Sequence, residues 1–133
     1  MTKGTAISIL ASALILSSCT QPDGNSRHCL VKSVDAGDQV TLICDGQPLE
    51  VELCGIDTPS PESEEGERSL QHLQELISQG EQTEGITQAI LFNGNEIFIP
   101  IEGEEELEIH LGSQMVFDGY AQANDDQCLN PVD

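Results

Sequence analysis

Three short apolar runs, Leu30–Val34, Val40–Cys44 and Leu49–Ile56, are separated by Asp35-Ala36-Gly37-Asp38 and by Asp45-Gly46-Gln47-Pro48. Runs of this length bounded by Asp, Gly and Pro read as strands joined by tight turns. The stretch therefore predicts an antiparallel three-stranded meander, which leaves few folds open to the chain. In the third run Leu49, Val51 and Leu53 alternate with Glu50 and Glu52. One face then enters a core and both glutamates point the other way.

The cysteines bear on the register of that meander. A tight turn at Ala36-Gly37 makes opposed residues of the first two strands sum to 73, and Cys29 with Cys44 meets that condition. Opposed Cα atoms about 5.5 Å apart suit a disulfide. Apart from Cys19 the thiols are Cys29, Cys44, Cys54 and Cys128, an even number that in an exported protein predicts two disulfides with three possible connectivities. The register favours Cys29 with Cys44, leaving Cys54 with Cys128. Zinc is the weaker reading, because the chain has no CxxC and no His at ligand spacing.

The N terminus supplies the reason for oxidised thiols. Lys3 is followed by the apolar run Ala6–Leu16, too short for the roughly 20 residues that span a bilayer, and the pair reads as a secretory signal. It ends in Leu16-Ser17-Ser18-Cys19, the pattern of a bacterial lipobox. Cleavage before Cys19 leaves a lipidated cysteine whose acyl chains anchor the protein at about 0.8 kcal/mol per buried methylene. An ordinary signal with Cys19 present by chance is the alternative. Residues 1–18 are thus expected to be signal peptide, 19–28 a lipid-anchored polar tether, and 29–133 one domain. The expected location is the bacterial envelope membrane, on the periplasmic side or at the cell surface.

Charge narrows the partners. Beyond residue 18 the chain carries 24 carboxylates against three cations, Arg27, Lys32 and Arg68, a net charge of −21. Nucleic-acid affinity rests on Lys and Arg displacing phosphate counterions, so this surface is expected to repel DNA and RNA. Solubility accounts for most of the charge; docking of a basic protein partner is the other reading. The run Glu102–Glu108 is expected to be a solvated loop or strand edge.

After the meander, Ser60-Pro61 reads as an N-cap followed by a first-turn proline, with Glu62, Glu64 and Glu65 suited to the positive end of a helix. The helix is expected to reach Gln79 and stop at Gly80. It would bury Leu70, Leu73, Leu76 and Ile77 and leave His72 in solvent. Ile86–Phe92 and Glu96–Ile101 flank Asn93-Gly94-Asn95, a hairpin signal. Leu111–Ala123 has the spacing of an amphipathic helix, with Leu111, Met115, Val116 and Tyr120 on one side.

Gly37-Asp38 after the first strand, Asp57-Thr58-Pro59 at the end of the third, and LGSQMVFDGYAQA at 111–123 form a recognisable set. In these motifs and in its element order the chain resembles the staphylococcal nuclease (thermonuclease) family over roughly Cys29–Cys128. The resemblance implies an α+β protein, a five-stranded OB-fold-type β-barrel with helices. It also implies that Asp38, Asp57 and the carbonyl of Thr58 hold Ca²⁺, whose hard charge requires oxygen ligands. Other positions depart from the family. Glu52 stands in place of its first catalytic arginine and Ser60 in place of its general-base glutamate. The segment Ile86–Ile101, where the second arginine would lie, contains no Arg or Lys.

Glu62 or Glu64 would be the substitute base. Removing one preorganised donor costs about 10²- to 10³-fold in rate, and two are missing. Two charges about 5 Å apart interact by roughly 3 kcal/mol at an effective dielectric near 20, so Glu52 turns an attraction for phosphate into repulsion. The expectation is a catalytically degenerate domain acting as a binding or structural module, with no catalytic residue assigned. Three readings of the acidic positions stay open. Asp38 and Asp57 serve as turn residues that bond backbone amides; or Asp38, Glu52, Asp57 and Thr58 bind a divalent cation without hydrolysis; or a calcium-dependent nuclease survives with Glu62 as base.

Overall fold

The computed structural model describes residues 26–103 and 107–124 of the 133-residue chain. Strands β1 (Ser26–Ala36), β2 (Gln39–Cys44) and β3 (Gln47–Glu52) are antiparallel neighbours, the meander that the turn sequences predict. Asp45 and Gly46 take left-handed φ values of 55° and 79°, a turn conformation that Asp and Gly tolerate best. Gln47 and Pro48 consequently enter β3. This strand is at the end of the sheet, where a proline's missing donor is harmless.

Cys29 and Cys44 are Cα partners 4.4 Å apart and form a disulfide. The route to this pairing differs from the expected one. The turn residues are Gly37 and Asp38, so Ala36 opposes Gln39. Register shifts between Val34 and Ala36 and between Val31 and Ser33 each add a residue to β1. These two bulges carry the pair sum from 75 at the turn to 73 at the cysteines. Cys54 is disulfide-bonded as well; its expected partner Cys128 lies outside the described residues, as do the signal segment and Cys19.

The expected tether gives up its last three residues to the sheet. Ser26, Arg27 and His28 pair with Phe92, Leu91 and Ile90, because β6 (Ile86–Phe92) offers ladder groups that would otherwise need other partners. β6 forms the expected hairpin with β7 (Glu96–Pro100), and Asn93 and Gly94 both take positive φ in its turn. Two strands of this sheet were not foreseen. β5 (Gln82–Thr83) pairs with β6, and β8 (Glu108–His110) pairs with β7. The result is an α+β protein built on a seven-stranded antiparallel sheet, ordered β3-β2-β1-β6-β7-β8 with β5 beside β6. Its ends, β3 and β8, are not bonded to each other, so the sheet is open where a closed five-stranded barrel was expected.

Helix α1 (Glu64–Ser78) covers the sheet, burying Leu73, Leu76 and Ile77 against Val40, Leu42, Leu91, Ile97 and Ile99. Each such side chain contributes about 1.5–3 kcal/mol on burial. Leu70 is only half-buried. The helix begins three residues later than expected, at the N-cap Ser63, whose Oγ accepts from the Gly66 N–H at 2.9 Å. Ser60 and Pro61 form a preceding turn instead, in which the Ser60 carbonyl accepts from both the N–H and the hydroxyl of Ser63. A Cβ at Gly66 would stand 1.8 Å from the Ser60 oxygen. The turn presses on the helix only because that side chain is missing.

Two expected continuous elements break. The third apolar run bends at Cys54-Gly55, where Gly55 has a φ of 81°, and resumes as β4 (Ile56–Asp57) outside the main sheet. The C-terminal helix α2 covers only Leu111–Phe117, with the His110 Nδ1 accepting from the Ser113 N–H at its start. Gly119 then takes a φ of 89°, and Gln122–Ala123 form β9, antiparallel to β4. The apolar spacing that suggested helix holds through Met115, which is fully buried, and Val116, which packs against the core, but not to Tyr120. Among the described residues no helix is long and apolar enough to cross a membrane.

Candidate functional site

Asp38 sits in the β1–β2 turn, Glu52 ends β3, Asp57 ends β4 and Thr58 follows it. The fold brings these four residues to one corner. Burial, and then the charge of Glu52, push the Asp38 carboxyl above the ordinary carboxylate range, with a smaller push from Asp57. Its own backbone amide and the Thr58 hydroxyl donate to it and act in the opposite direction.

Local backbone structure fixes the corner. The Leu53 N–H donates to the Asp38 carbonyl at 2.8 Å, and Glu52 lies opposite Gln39 in the ladder. A Cβ at Gly37 would stand 2.7 Å from the Cβ of Ser69 and 3.3 Å from Cγ2 of Thr58. Glycine therefore lets the turn seat on α1 and places Asp38 beside Thr58. Asp57 is steadied by the β4–β9 pairing and by the Asn124 Nδ2, which donates to its Oδ1 at 2.9 Å.

A cleft of about 510 Å³ adjoins the corner, with Asp57 and Thr58 on one wall, Glu65, Arg68 and Ser69 of α1 on another, and Tyr120 in the segment after α2. Arg68 is the one cation among its lining residues; its nearest carboxylate oxygen, on Glu64, lies 4.0 Å away. That separation is too long for a hydrogen bond. Ser60 and Glu62 are exposed in the turn before α1, and the glutamate that lines the cleft is Glu65.

Carboxylate and hydroxyl oxygens suit a hard cation such as Ca²⁺. Their arrangement is looser than their chemistry. Among the described residues no group of three or more His, Cys, Asp or Glu side chains is placed to hold a metal ion. Glu52 and Asp57 thus act on Asp38 through charge without sharing a coordination point with it.

Several residues of this region escaped the sequence reading. His72, expected in solvent, has a side chain only 17% exposed, with its Nε2 2.7 Å from Asp118 Oδ2 and its ring stacked on Tyr120 at 4.1 Å. A signal for it existed. Glu65, Arg68, Ser69 and His72 follow the i, i+3, i+4, i+7 spacing of one helical stripe, flanking the apolar residues that enter the core. Asn124 carried no comparable signal, since its role depends on β9. No model of a known protein family matches the chain, and no curated protein does.

Proposed function

We propose that this is an exported, lipid-anchored module of staphylococcal nuclease type whose acidic corner binds a divalent cation, Ca²⁺ by preference, and does not hydrolyse phosphodiesters. The single observation that carries the reading is the convergence of Glu52, Asp57 and the Thr58 hydroxyl on Asp38, whose proton affinity is raised by burial first and by like charge second. Carboxylates held together against their repulsion oppose folding unless a cation is recruited. The order of meander, helix, hairpin and second helix supports an OB-type fold of that family. The lipobox at Leu16–Cys19 supports the anchor.

Hydrolysis is disfavoured by the same corner. Glu52 presents negative charge where a phosphoryl transition state needs a cation, and a net charge of −20 over the whole chain opposes nucleic acid. One observation favours the rival reading of a calcium-dependent phosphodiesterase: Arg68 lies in the cleft beside Asp57.

Two assays on the purified protein decide. Calorimetric titration is expected to show Ca²⁺ binding that is lost in Asp38→Asn and Asp57→Asn and changes little with ionic strength. Single-stranded DNA is expected to stay intact with Ca²⁺ as with EDTA, and Glu52→Arg to restore at most a trace of cleavage. Calcium-dependent cleavage by the native protein, abolished by Asp38→Asn, would make it an enzyme. Absence of Ca²⁺ binding, together with capture of a basic protein that weakens steeply from low to physiological salt, would make the corner a docking surface.

A further inference from the structure

Asp57 is steadied by a short segment, Gly119–Asn124, whose pairing with β4 consists of Ile56 with Ala123 and Asp57 with Gln122. A two-stranded ribbon of this length does not hold itself in water. Its position must come from its anchors. At one end the Asn124 N–H donates to the Gly55 carbonyl at 2.9 Å, and the Asn124 side chain donates to Asp57. At the other end the segment is fastened to α1. The buried Ser69 hydroxyl donates to the Tyr120 carbonyl at 2.7 Å, the His72 ring lies flat on the Tyr120 ring, and the His72 Nε2 meets Asp118.

We propose that His72 is a positioning residue for the acidic corner: gripping Asp118 and Tyr120, it fixes the Gly119–Asn124 segment and hence Asp57, and the grip tightens when the imidazole is protonated. The positioning of a cation ligand rests on the reading of the corner given above, whereas the grip itself does not.

The groups facing His72 set the sign. Asp118 faces it from the end of α2, its other oxygen accepting from the Gln114 Nε2 at 3.0 Å. Glu75 of α1 itself lies 3.6 Å from the Nδ1, and Tyr120 contributes an uncharged ring. Both titratable neighbours are therefore acids, and a carboxylate holds a charged ring by a stronger hydrogen bond than a neutral one. The hydrogen bond from His72 holds the Asp118 carboxyl below its ordinary value, so that side of the pair stays ionised well into acid. As pH rises between about 5 and 8 a histidine loses its charge. The contact with Asp118 then persists as a neutral hydrogen bond, weaker than the charge-assisted one. The segment loosens without detaching.

Amide hydrogen exchange on the full exported chain, without Ca²⁺, tests this. The Asn124 amide reports the segment and the Leu42 amide of β2 reports the core. Corrected for intrinsic rates, protection at Asn124 relative to Leu42 is expected to fall about five- to tenfold from roughly pH 5.5 to pH 8, the ratio for losing charge assistance. His72→Gln, which keeps a donor for Asp118, should flatten that profile at the weaker level and lower Ca²⁺ affinity at mildly acidic pH by a similar factor. An unchanged profile in His72→Gln, or equal loss at Leu42 and Asn124, overturns the proposal. If the profile behaves as expected while Ca²⁺ binds nowhere, the reading of the corner is what fails.

Discussion

The two ends of β1 are built on opposite principles. At Cys29 the strand is buried, paired on both sides and bonded covalently to Cys44. At Gly37-Asp38, beyond two bulges, the chain turns beside α1 and collects carboxylates that repel one another. One end secures the fold and the other opposes it. A region that breaks the local rules of stability inside a chain that otherwise obeys them is where function is expected. The contrast carries more weight here than composition does, since acidic residues lie all along the sequence.

The largest effect should come from the secure end. Replacing Cys29 and Cys44 together by Ala removes a crosslink between residues 15 apart in sequence, and a loop of that size is worth about 3 kcal/mol. Urea unfolding should show that loss. Ca²⁺ affinity of the fraction that stays folded should not change. If it falls in parallel, the two ends are coupled and the contrast drawn above is wrong.

A smaller effect separates two turns of the same meander. Gly37→Ala drives a methyl to 2.7 Å from the Cβ of Ser69, and overpacking of this kind costs about 1–3 kcal/mol. It should also move Asp38 away from Thr58 and weaken Ca²⁺ binding more than tenfold. Gly46→Ala meets no atom within 4 Å and is strained only by its φ of 79°. It should cost about 1 kcal/mol with binding intact. Calorimetry on both variants checks this; equal binding losses would mean that the first turn has no special relation to the site.

The sequence made the secure end readable and the acidic end only partly so. Turn residues and alternation are local signals, and they placed β2, β3, the β6–β7 hairpin and the apolar face of α1. The disulfide emerged even though the assumed turn was off by one residue, because two bulges restored the register. Bulges, the break at Cys54-Gly55 and the change from α2 to β9 depend on what the chain meets across space, and no local pattern encodes that. The same holds for the corner. Asp38, Glu52, Asp57 and Thr58 could be named from their motifs, whereas Arg68 and His72 were marked only by sharing one helical stripe, which does not say what the stripe meets, and Asn124 joins the region only through β9. Tertiary contact also moved the helix start from Ser60 to Ser63, since Gly66 lets the preceding turn lie against the first turn of α1.

The smallest effect is the sharpest, because it runs against the usual direction of mutation. Asp38 has a folded-state pKa above its unfolded one, so its favourable contribution is present below the ordinary carboxylate range and lost as pH rises through the folded value. At neutral pH the ionised group therefore weakens the native state. Asp38→Asn removes the charge and keeps an oxygen that accepts from the Thr58 hydroxyl. With EDTA present the variant should melt about 1–4 °C above the native protein at pH 7, a modest gain because the group is half open to screening water. The gain should shrink as pH falls through the folded value and vanish below about pH 3, where the carboxyl is protonated in the folded and unfolded states alike. Ca²⁺ should invert the order, since an ion at about 100 times its Kd adds about 2.7 kcal/mol to a protein that binds it and nothing to one that does not. Equal melting temperatures at pH 7 with no inversion by Ca²⁺ would make Asp38 an ordinary turn residue satisfied by its amides, and the corner would lose its claim to be a site.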